Sequence, residues 1–270
     1  MNRIEEKMRV LKDAGKKAFI TYTTAGLPDM ETTEKIMFAQ EEAGIDVMEI
    51  GVPFSDPVAD GPVIQDASYE AILNGATLEK IFELMKDVRS KGLKTPVVFM
   101  MYYNTVYHYG LEEFAKQCAA CGVDGVIVPD LPYEEQSELQ TYLEKTKDKT
   151  ILLQLISPVS RERIPELVKD AKGFVYCISQ MGVTGGTADF HRNIREYLTQ
   201  VKEVSPVPVM MGFGIKTPKD IESVQDIIDG AIVGSHFIKL LRSNNYSVEA
   251  VKKYIKEFKE NILKCGCACV

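Results

Sequence analysis

The sequence predicts an α/β fold of the (β/α)8 barrel class, with an N-terminal helix and extra helices after strands 2 and 8. Eight short runs of apolar and β-branched residues recur along the 270 residues, and helical segments separate them. Most runs are apolar nearly throughout, which is typical of parallel strands buried on both faces. The predicted strands are residues 18–24, 46–52, 96–102, 124–129, 151–156, 174–179, 207–213 and 230–235.

The segments between the strands carry the spacing of amphipathic helices. Apolar side chains recur at three- and four-residue intervals in the N-terminal segment, after strand 3 and after strand 8. Gly44, Gly92 and Gly122 each follow such a pattern, where a left-handed C-cap would fall, and Ser247 is a suitable N-cap. The apolar faces are formed by Ile4, Met8, Leu11; Leu111, Phe114, Ala115, Cys118, Ala119; and Val248, Val251, Ile255, Phe258, Ile262.

The segment after strand 2 is the longest connection and contains an extra helix, VIQDASYEAILNG, while HFIKLL forms a second one after strand 8. The alternative is a doubly wound open sheet. That fold would place Gly-x-Gly-x-x-Gly after the first strand, where this chain has AGLPD instead. No linker or break in composition divides the chain. We therefore expect a single domain over residues 1–270, with 264–270 as a flexible tail.

Composition limits the classes of function. The net charge of -7 disfavours non-specific electrostatic binding to nucleic acid or anionic lipid, so neither is an expected partner. No apolar run approaches the ~18 residues that span a bilayer. The N-terminus is charged and amphipathic and lacks the apolar core of a signal peptide, which predicts a cytoplasmic protein.

Six cysteines are present, and their placement favours free thiols. Cys118 and Cys121 lie in a helical pattern, and Cys177 lies in a buried strand. The tail CGCACV lacks the Cys-x2-Cys spacing of a zinc site and has no histidine nearby. No metal site is predicted.

The stretch MEIGVPFSDPVADGP, residues 48–62, places Glu49 near the end of the second strand and Asp60 on a loop with three prolines. Active sites of barrels lie at the carboxyl ends of the strands. A carboxyl group in apolar surroundings has a raised pKa, which suits proton transfer near neutral pH. The alternatives are a Glu49 paired with a cation and an Asp60 that only forms an Asp-Gly turn.

The later loops indicate an anion site. Strand 7 ends in Gly212-Phe213-Gly214, and strand 8 ends in Gly234-Ser235 before a helical segment. In barrels these two loops, with a helix N-terminus, commonly bind phosphate. The glycine-rich loop SQMGVTGGTADF after strand 6 is either a lid or a plain loop. Tyr102 and Tyr176 either point inward beside the acids or pack outward against a helix.

The opening stretch closely resembles the signature of the tryptophan synthase α chain family, and SQMGVTG, GFGIKTP and the final GS follow in the family's order. The resemblance covers residues 15–262. It implies the cleavage of indole-3-glycerol phosphate to indole and glyceraldehyde 3-phosphate, with Glu49 and Asp60 as the catalytic acids. Two alternatives are a catalytically weak partner that activates a β chain and a barrel lyase for another phosphorylated substrate.

The resemblance also implies the binding residues and the partner. Indole passes to a β chain in an α2β2 heterotetramer, and the pyridoxal phosphate belongs to that β chain, so no cofactor is expected in this chain. Tyr22 stands where the family commonly has an aromatic without a hydroxyl, and Met100 where leucine is frequent. The substrate contacts that the resemblance implies are Tyr22, Met100, Ile127, Tyr176 and the lid residue Thr184, and the implied phosphate contacts are Gly185, Gly214, Gly234 and Ser235. Tyr102 is a further predicted substrate contact because of its position near a strand end.

Overall fold

The fold was analysed in a computed structural model that describes residues 2–146, 149–178, 188–212 and 214–264. These residues build one barrel of parallel strands surrounded by helices, as the sequence predicts. The strands are β1 (Ala18–Thr24), β2 (Val47–Gly51), β3 (Val97–Met100), β4 (Gly125–Ile127), β5 (Ile151–Leu152), β6 (Gln154–Ile156), β7 (Val175–Ile178), β8 (Val209–Gly212) and β9 (Gly230–Val233).

All eight predicted strands are present, and most are shorter than predicted. The predicted strand 151–156 is split into β5 and β6 by Leu153. The strand order is β5-β4-β3-β2-β1-β9-β8-β7-β6, and every recorded pair is parallel. Because only Leu153 separates the two ends of this order, β5 and β6 together occupy one position of the barrel.

The helices cover the outside of the sheet. The predicted C-caps at Gly44, Gly92 and Gly122 are confirmed by their φ angles of 85°, 98° and 68°. The helices are α1 (Arg3–Asp13), α2 (Met30–Glu42), α3 (Pro62–Leu73), α4 (Leu78–Ser90), α5 (Tyr103–Tyr109), α6 (Leu111–Cys121), α7 (Ser137–Lys145), α8 (Ile164–Val168), α9 (Ala188–Val204), α10 (Ser235–Ser243) and α11 (Val248–Lys264), with 3-10 helices at Tyr133–Glu135, Pro158–Arg163 and Pro218–Val224.

The extra helices predicted after strands 2 and 8, which are β2 and β9 in the structure, are confirmed as α3 and α10. The prediction missed α5. The sequence prediction extended strand 3 to residue 102, whereas β3 ends at Met100 and Tyr102 is the N-cap of α5. Likewise, Ser235 was assigned to the last strand and instead begins α10. Among the helices that the structure describes, none combines the length and apolar character needed to cross a membrane.

Helix α1 closes the amino end of the barrel. Asn2 caps it by accepting from the Ile4 N–H at 2.8 Å, and its Nδ2 donates to the Asp124 carbonyl at 2.8 Å. Ile4 is fully buried beside Gly125, where an added Cβ would lie 2.9 Å from the Ile4 Cδ1. The helix therefore fills the space at the amino ends of the strands.

Three aspartates fix the same end of the barrel, and we call them the amino-end locks. Each directly precedes a strand and accepts a backbone N–H of the neighbouring strand: Asp46 from Phe19 at 2.9 Å, Asp124 from Val97 at 2.9 Å, and Asp229 from Val209 at 2.7 Å. Each also meets a cation from a helix: Lys259 in α11 for Asp46, Arg89 in α4 for Asp124, and Lys202 in α9 for Asp229. These contacts join strands and helices far from the carboxyl ends.

Candidate active site

Glu49 lies in β2 and points into the barrel. Its Cα pairs with Tyr22 in β1 and with Val98 in β3, so these three side chains share one face of the sheet. Only 2% of Glu49 is exposed, and its buried Oε1 has no hydrogen-bond partner among the residues that the structure describes. Among the ion pairs of the described residues, none includes Glu49, so the alternative of a cation-paired carboxylate is not supported.

Burial sets the protonation of this carboxyl group. Loss of solvation, followed by the negative charge of Asp60, raises the pKa of Glu49 to about 8. A group with this pKa exists in both protonated and ionised forms near neutral pH. It can therefore both donate and accept a proton during one reaction.

Asp60 is held on the loop between β2 and α3 by a tyrosine. The Tyr102 hydroxyl donates to Asp60 Oδ2 at 2.9 Å and accepts from the Ala59 N–H at 3.0 Å. The Tyr102 ring stacks on Phe54 of the same loop, with 5.2 Å between the ring centroids. Burial raises the pKa of Asp60, while the hydrogen bond from Tyr102 opposes that rise. Asp60 is thus oriented by a specific donor and does more than form a turn.

Two tyrosines lean over glycines on the neighbouring strands. Tyr22 pairs with Glu49, and Gly51 lies two residues further along β2; a Cβ on Gly51 would lie 2.0 Å from the Tyr22 hydroxyl oxygen. Tyr176 pairs with Met210 in the same way, and a Cβ on Gly212 would lie 2.5 Å from its hydroxyl oxygen. Each glycine leaves the space that its tyrosine occupies.

Both of these tyrosines are close to the acids. Burial, and then the charges of Asp60 and Glu49, raise the pKa of the Tyr22 hydroxyl, and the same causes raise the pKa of Tyr176. Both hydroxyls therefore stay protonated and can serve as hydrogen-bond donors. Of the two orientations that the sequence leaves open, the inward one is found for Tyr176, and Tyr102 points to Asp60.

An apolar layer lies next to Glu49, toward the carboxyl ends. Gly51 pairs with Met100, and Met100 pairs with Ile127, so the three residues share one row across β2, β3 and β4. The Met100 and Ile127 side chains are buried. This row provides an apolar wall next to Glu49, which suits an aromatic ligand that carries a polar group.

The part of the site that is predicted to bind phosphate, which we call the phosphate end, is formed by the loop after β8 and by the start of α10. Gly214 has a φ of 77°, in the left-handed region that favours glycine. Gly234 is the N-cap of α10, and Ser235 is its first residue, so the N–H groups that begin this helix lie at this end. Thr184 and Gly185 lie outside the described residues, as does most of the predicted lid.

Sequence reasoning offered an inward Tyr102 beside the acids as one of two alternatives, but it did not identify Asp60 as the acceptor of its hydroxyl. The donor to Asp60 is found only once β3 is seen to end at Met100 and Tyr102 to cap α5. Phe54 was passed over, although an aromatic residue in a proline-rich loop is a signal that could have been used. Within the described residues, no group of three or more His, Cys, Asp or Glu side chains is arranged to hold a metal ion.

The chain was compared with known families. A family model described as tryptophan synthase alpha chain matches residues 8–265. The chain belongs to this family. It is 66% identical over 262 residues to the tryptophan synthase alpha chain of Lachnospira eligens, covering 97% of this chain and 99% of that one. It is 43% identical to the corresponding chain of Alkaliphilus metalliredigens, covering 96% of this chain and 98% of that one.

Solved structures of tryptophan synthase share the fold. The crystal structure of tryptophan synthase subunit alpha from Legionella pneumophila is 32% identical, with a TM-score of 0.88 and coverage of 98% of this chain and 99% of that one. A chain of the aminoacrylate-bound tryptophan synthase from M. tuberculosis is 28% identical, with a TM-score of 0.84 and coverage of 97% and 100%. Membership of the tryptophan synthase α chain family places this barrel in tryptophan biosynthesis.

Proposed function

We propose that this chain cleaves indole-3-glycerol phosphate to indole and glyceraldehyde 3-phosphate. The observation that carries the proposal is the buried carboxyl group of Glu49. Its Oε1 has no hydrogen-bond partner within the described part of the chain, and burial raises its pKa to about 8. The reaction moves one proton from the side-chain hydroxyl next to the indole to C3 of the ring. The bond between C3 and the hydroxyl-bearing carbon then breaks, its electrons return to the ring, and that carbon becomes an aldehyde.

Glu49 is the group proposed to move this proton. In its ionised form it takes the proton from the hydroxyl, and in its protonated form it delivers a proton to C3, so that indole leaves as a neutral molecule. None of the ion pairs among the described residues includes Glu49, so none of them holds it permanently ionised. General acid–base catalysis by a positioned side chain contributes roughly 10²–10⁴-fold to a rate.

Asp60 is proposed to bind the indole N–H. Positive charge develops on the ring when C3 is protonated, and an ionised carboxylate beside the ring nitrogen stabilises it. The hydrogen bond from Tyr102 supports this role because it favours the ionised form of Asp60. The two acids thus take different roles because their surroundings differ.

The substrate is proposed to lie between the apolar wall and the phosphate end. Tyr22, Met100 and Ile127 would contact the indole ring, and Tyr176 would lie near the reacting carbon. The phosphate would bind the backbone N–H groups of Gly214, Gly234 and Ser235, helped by the dipole of α10. Gly185, and Thr184 of the lid, are proposed for the same substrate on the basis of the family resemblance alone.

A β chain that holds pyridoxal phosphate is the proposed partner, in a cytoplasmic α2β2 heterotetramer, and it would convert the released indole to tryptophan. Support comes from apolar side chains around the carboxyl ends of the strands: Val58 is 82% exposed, Tyr107 68% and Val159 69%. They lie on the Asp60 loop, on α5 and on the 3-10 helix Pro158–Arg163. A partner seated there would cover the mouth of the site, through which indole must leave.

The test is an assay of indole release from indole-3-glycerol phosphate by the purified chain, alone and with a tryptophan synthase β chain. We expect release by the wild type and a loss of at least about 10²-fold in Glu49→Gln. The control is Glu83→Gln, the same change on the exposed face of α4, which should release indole like the wild type. Binding of inorganic phosphate should be the same in both variants.

Two other outcomes would favour the alternatives. A wild-type chain that stimulates a β chain but releases no indole, alone or in complex, would be an activating partner only. A chain that binds inorganic phosphate but does not cleave indole-3-glycerol phosphate would act on another phosphorylated substrate. Glu49→Gln with nearly full activity would contradict the role of Glu49 itself.

A further inference from the structure

The loop after β8 is held at one peptide group from two sides. The Tyr254 hydroxyl, from α11, donates to the Lys216 carbonyl at 2.8 Å. On the other side, Asp220 Oδ2 accepts the Lys216 N–H at 2.9 Å and the Thr217 N–H at 2.7 Å. This peptide lies two residues after Gly214, which bears one of the proposed phosphate contacts.

The same tyrosine also packs against the start of α10. The Tyr254 ring lies 5.7 Å from the ring of His236 and 5.9 Å from the ring of Phe237, both in the first turn of that helix. On its other sides it meets Phe258 at 6.0 Å and Phe19 at 6.1 Å. The ring is therefore fixed by core aromatics while its hydroxyl reaches the loop.

We propose that Tyr254 is a positioning residue for the phosphate group of the substrate. An anion bound by N–H groups from two segments requires those segments at a fixed separation. One segment carries Gly214 and the other carries Gly234 and Ser235. Tyr254 contacts the first through its hydroxyl and the second through its ring, so it sets their relative position without touching the ligand. The inference rests on the proposed function, since it requires a phosphate monoester at this end.

A purely structural role is the competing explanation. In that case the ring fills space between α10 and α11, and the hydroxyl only satisfies a carbonyl at the surface. Tyr254→Phe separates the two roles because it keeps the ring and removes only the hydroxyl. A structural role predicts lower thermal stability alone, whereas a positioning role predicts weaker phosphate binding.

The experiment measures three quantities in the full-length wild type and in Tyr254→Phe: the Kd of inorganic phosphate by calorimetry, and the KM and kcat for indole release. We expect both the Kd and the KM to rise by about 3- to 10-fold, the size of one lost hydrogen bond. The kcat should change less than the KM, because the hydroxyl contacts the Lys216 carbonyl of the loop after β8 and not Glu49 or Asp60.

The matched control is Tyr197→Phe. Its hydroxyl also donates to a backbone carbonyl, that of Ile156, at 2.7 Å, but it lies on α9 and not at the phosphate end. This variant should lower the melting temperature and leave the Kd of phosphate unchanged. An unchanged Kd and KM in Tyr254→Phe would overturn the inference alone. Absence of phosphate binding in the wild type would overturn the proposed function, and this inference with it.

Discussion

The buried carboxyl group of Glu49, which is proposed to serve catalysis, also lowers the free energy of unfolding, and this effect depends on pH. The folded pKa is about 8, against an ordinary value of 4.5. Between these values the native state binds more protons at this site than the unfolded chain does. The free energy of unfolding therefore falls as the pH rises from about 4.5 to about 8, and Glu49 adds no further pH dependence above that range.

The direction of this pH dependence gives a prediction for Glu49→Gln, whose side chain cannot ionise. At pH 8.5 the variant should melt a few degrees above the wild type, since about 1 kcal/mol corresponds to roughly 2–4 °C in a chain of this size. Toward pH 5 the difference should shrink, because both side chains are then neutral. Melting curves across this range, with Glu83→Gln as control, test the sign. A difference in melting temperature that does not vary with pH would show that Glu49 is not held neutral by burial.

Between elements, the two tyrosine–glycine contacts place hydroxyls beside the acids. In each, a tyrosine on one strand leans toward the carboxyl end, over a glycine two residues beyond its partner on the next strand. Side chains on strands lean along the strand direction, so each tyrosine needs empty space two residues beyond its paired residue on the next strand. Gly51 and Gly212 are therefore required for the positions of Tyr22 and Tyr176.

Replacing Gly51 by alanine should displace the Tyr22 ring, because the new Cβ would lie 2.0 Å from its hydroxyl oxygen. We expect indole release to fall by at least about 10-fold, because small displacements in a reacting geometry are costly. The control is Gly125→Ala, also in a barrel strand, where the Cβ meets the Ile4 side chain at 2.9 Å at the amino end. Gly125→Ala should lower the melting temperature but keep the KM. Equal losses of activity in both variants would mean that Gly51 acts through general stability.

The strands and loops also show which features of the fold and the site could be predicted from the sequence. The existence and order of the strands followed from buried apolar runs. Glu49, Asp60 and the glycine loops were identified as candidate site residues from their positions at strand ends. The split at Leu153 was not predictable, because 151–156 is apolar enough to read as one strand. The contact from Tyr102 to Asp60 joins residues 42 positions apart and depends on where β3 ends. Strand ends are set by tertiary contacts, which periodicity does not report.

Across the whole molecule, the two ends of the barrel differ in what their carboxyl groups do. At the carboxyl end, Glu49 Oε1 has no hydrogen-bond partner among the described residues, and Asp60 accepts a hydrogen bond from Tyr102. At the amino end, the three amino-end locks are paired with cations and backbone N–H groups. Their pattern is visible in the sequence, since GIDVMEI, GVDGVIV and IIDGAIV each place aspartate before a strand. The sequence alone did not indicate that these aspartates reach the neighbouring strand.

Because the two ends of the barrel are separate, we predict that the ion pair of one amino-end lock can be removed without changing catalysis at the carboxyl end. In Asp124→Asn the Val97 N–H can still be accepted, but Arg89, whose side chain is 12% exposed, loses its counter-charge. Removing one partner of a buried ion pair costs about 3 kcal/mol, which corresponds to a melting temperature lower by roughly 6–12 °C. Below that temperature, the KM and kcat for indole release should equal those of the wild type. The control is Asp13→Asn, which removes one of the two acidic partners of Arg9 in an exposed position and should change the melting temperature by less than about 2 °C. A higher KM in Asp124→Asn would show instead that the amino end is coupled to the site, and the barrel would then not divide into a stabilising end and a reactive one.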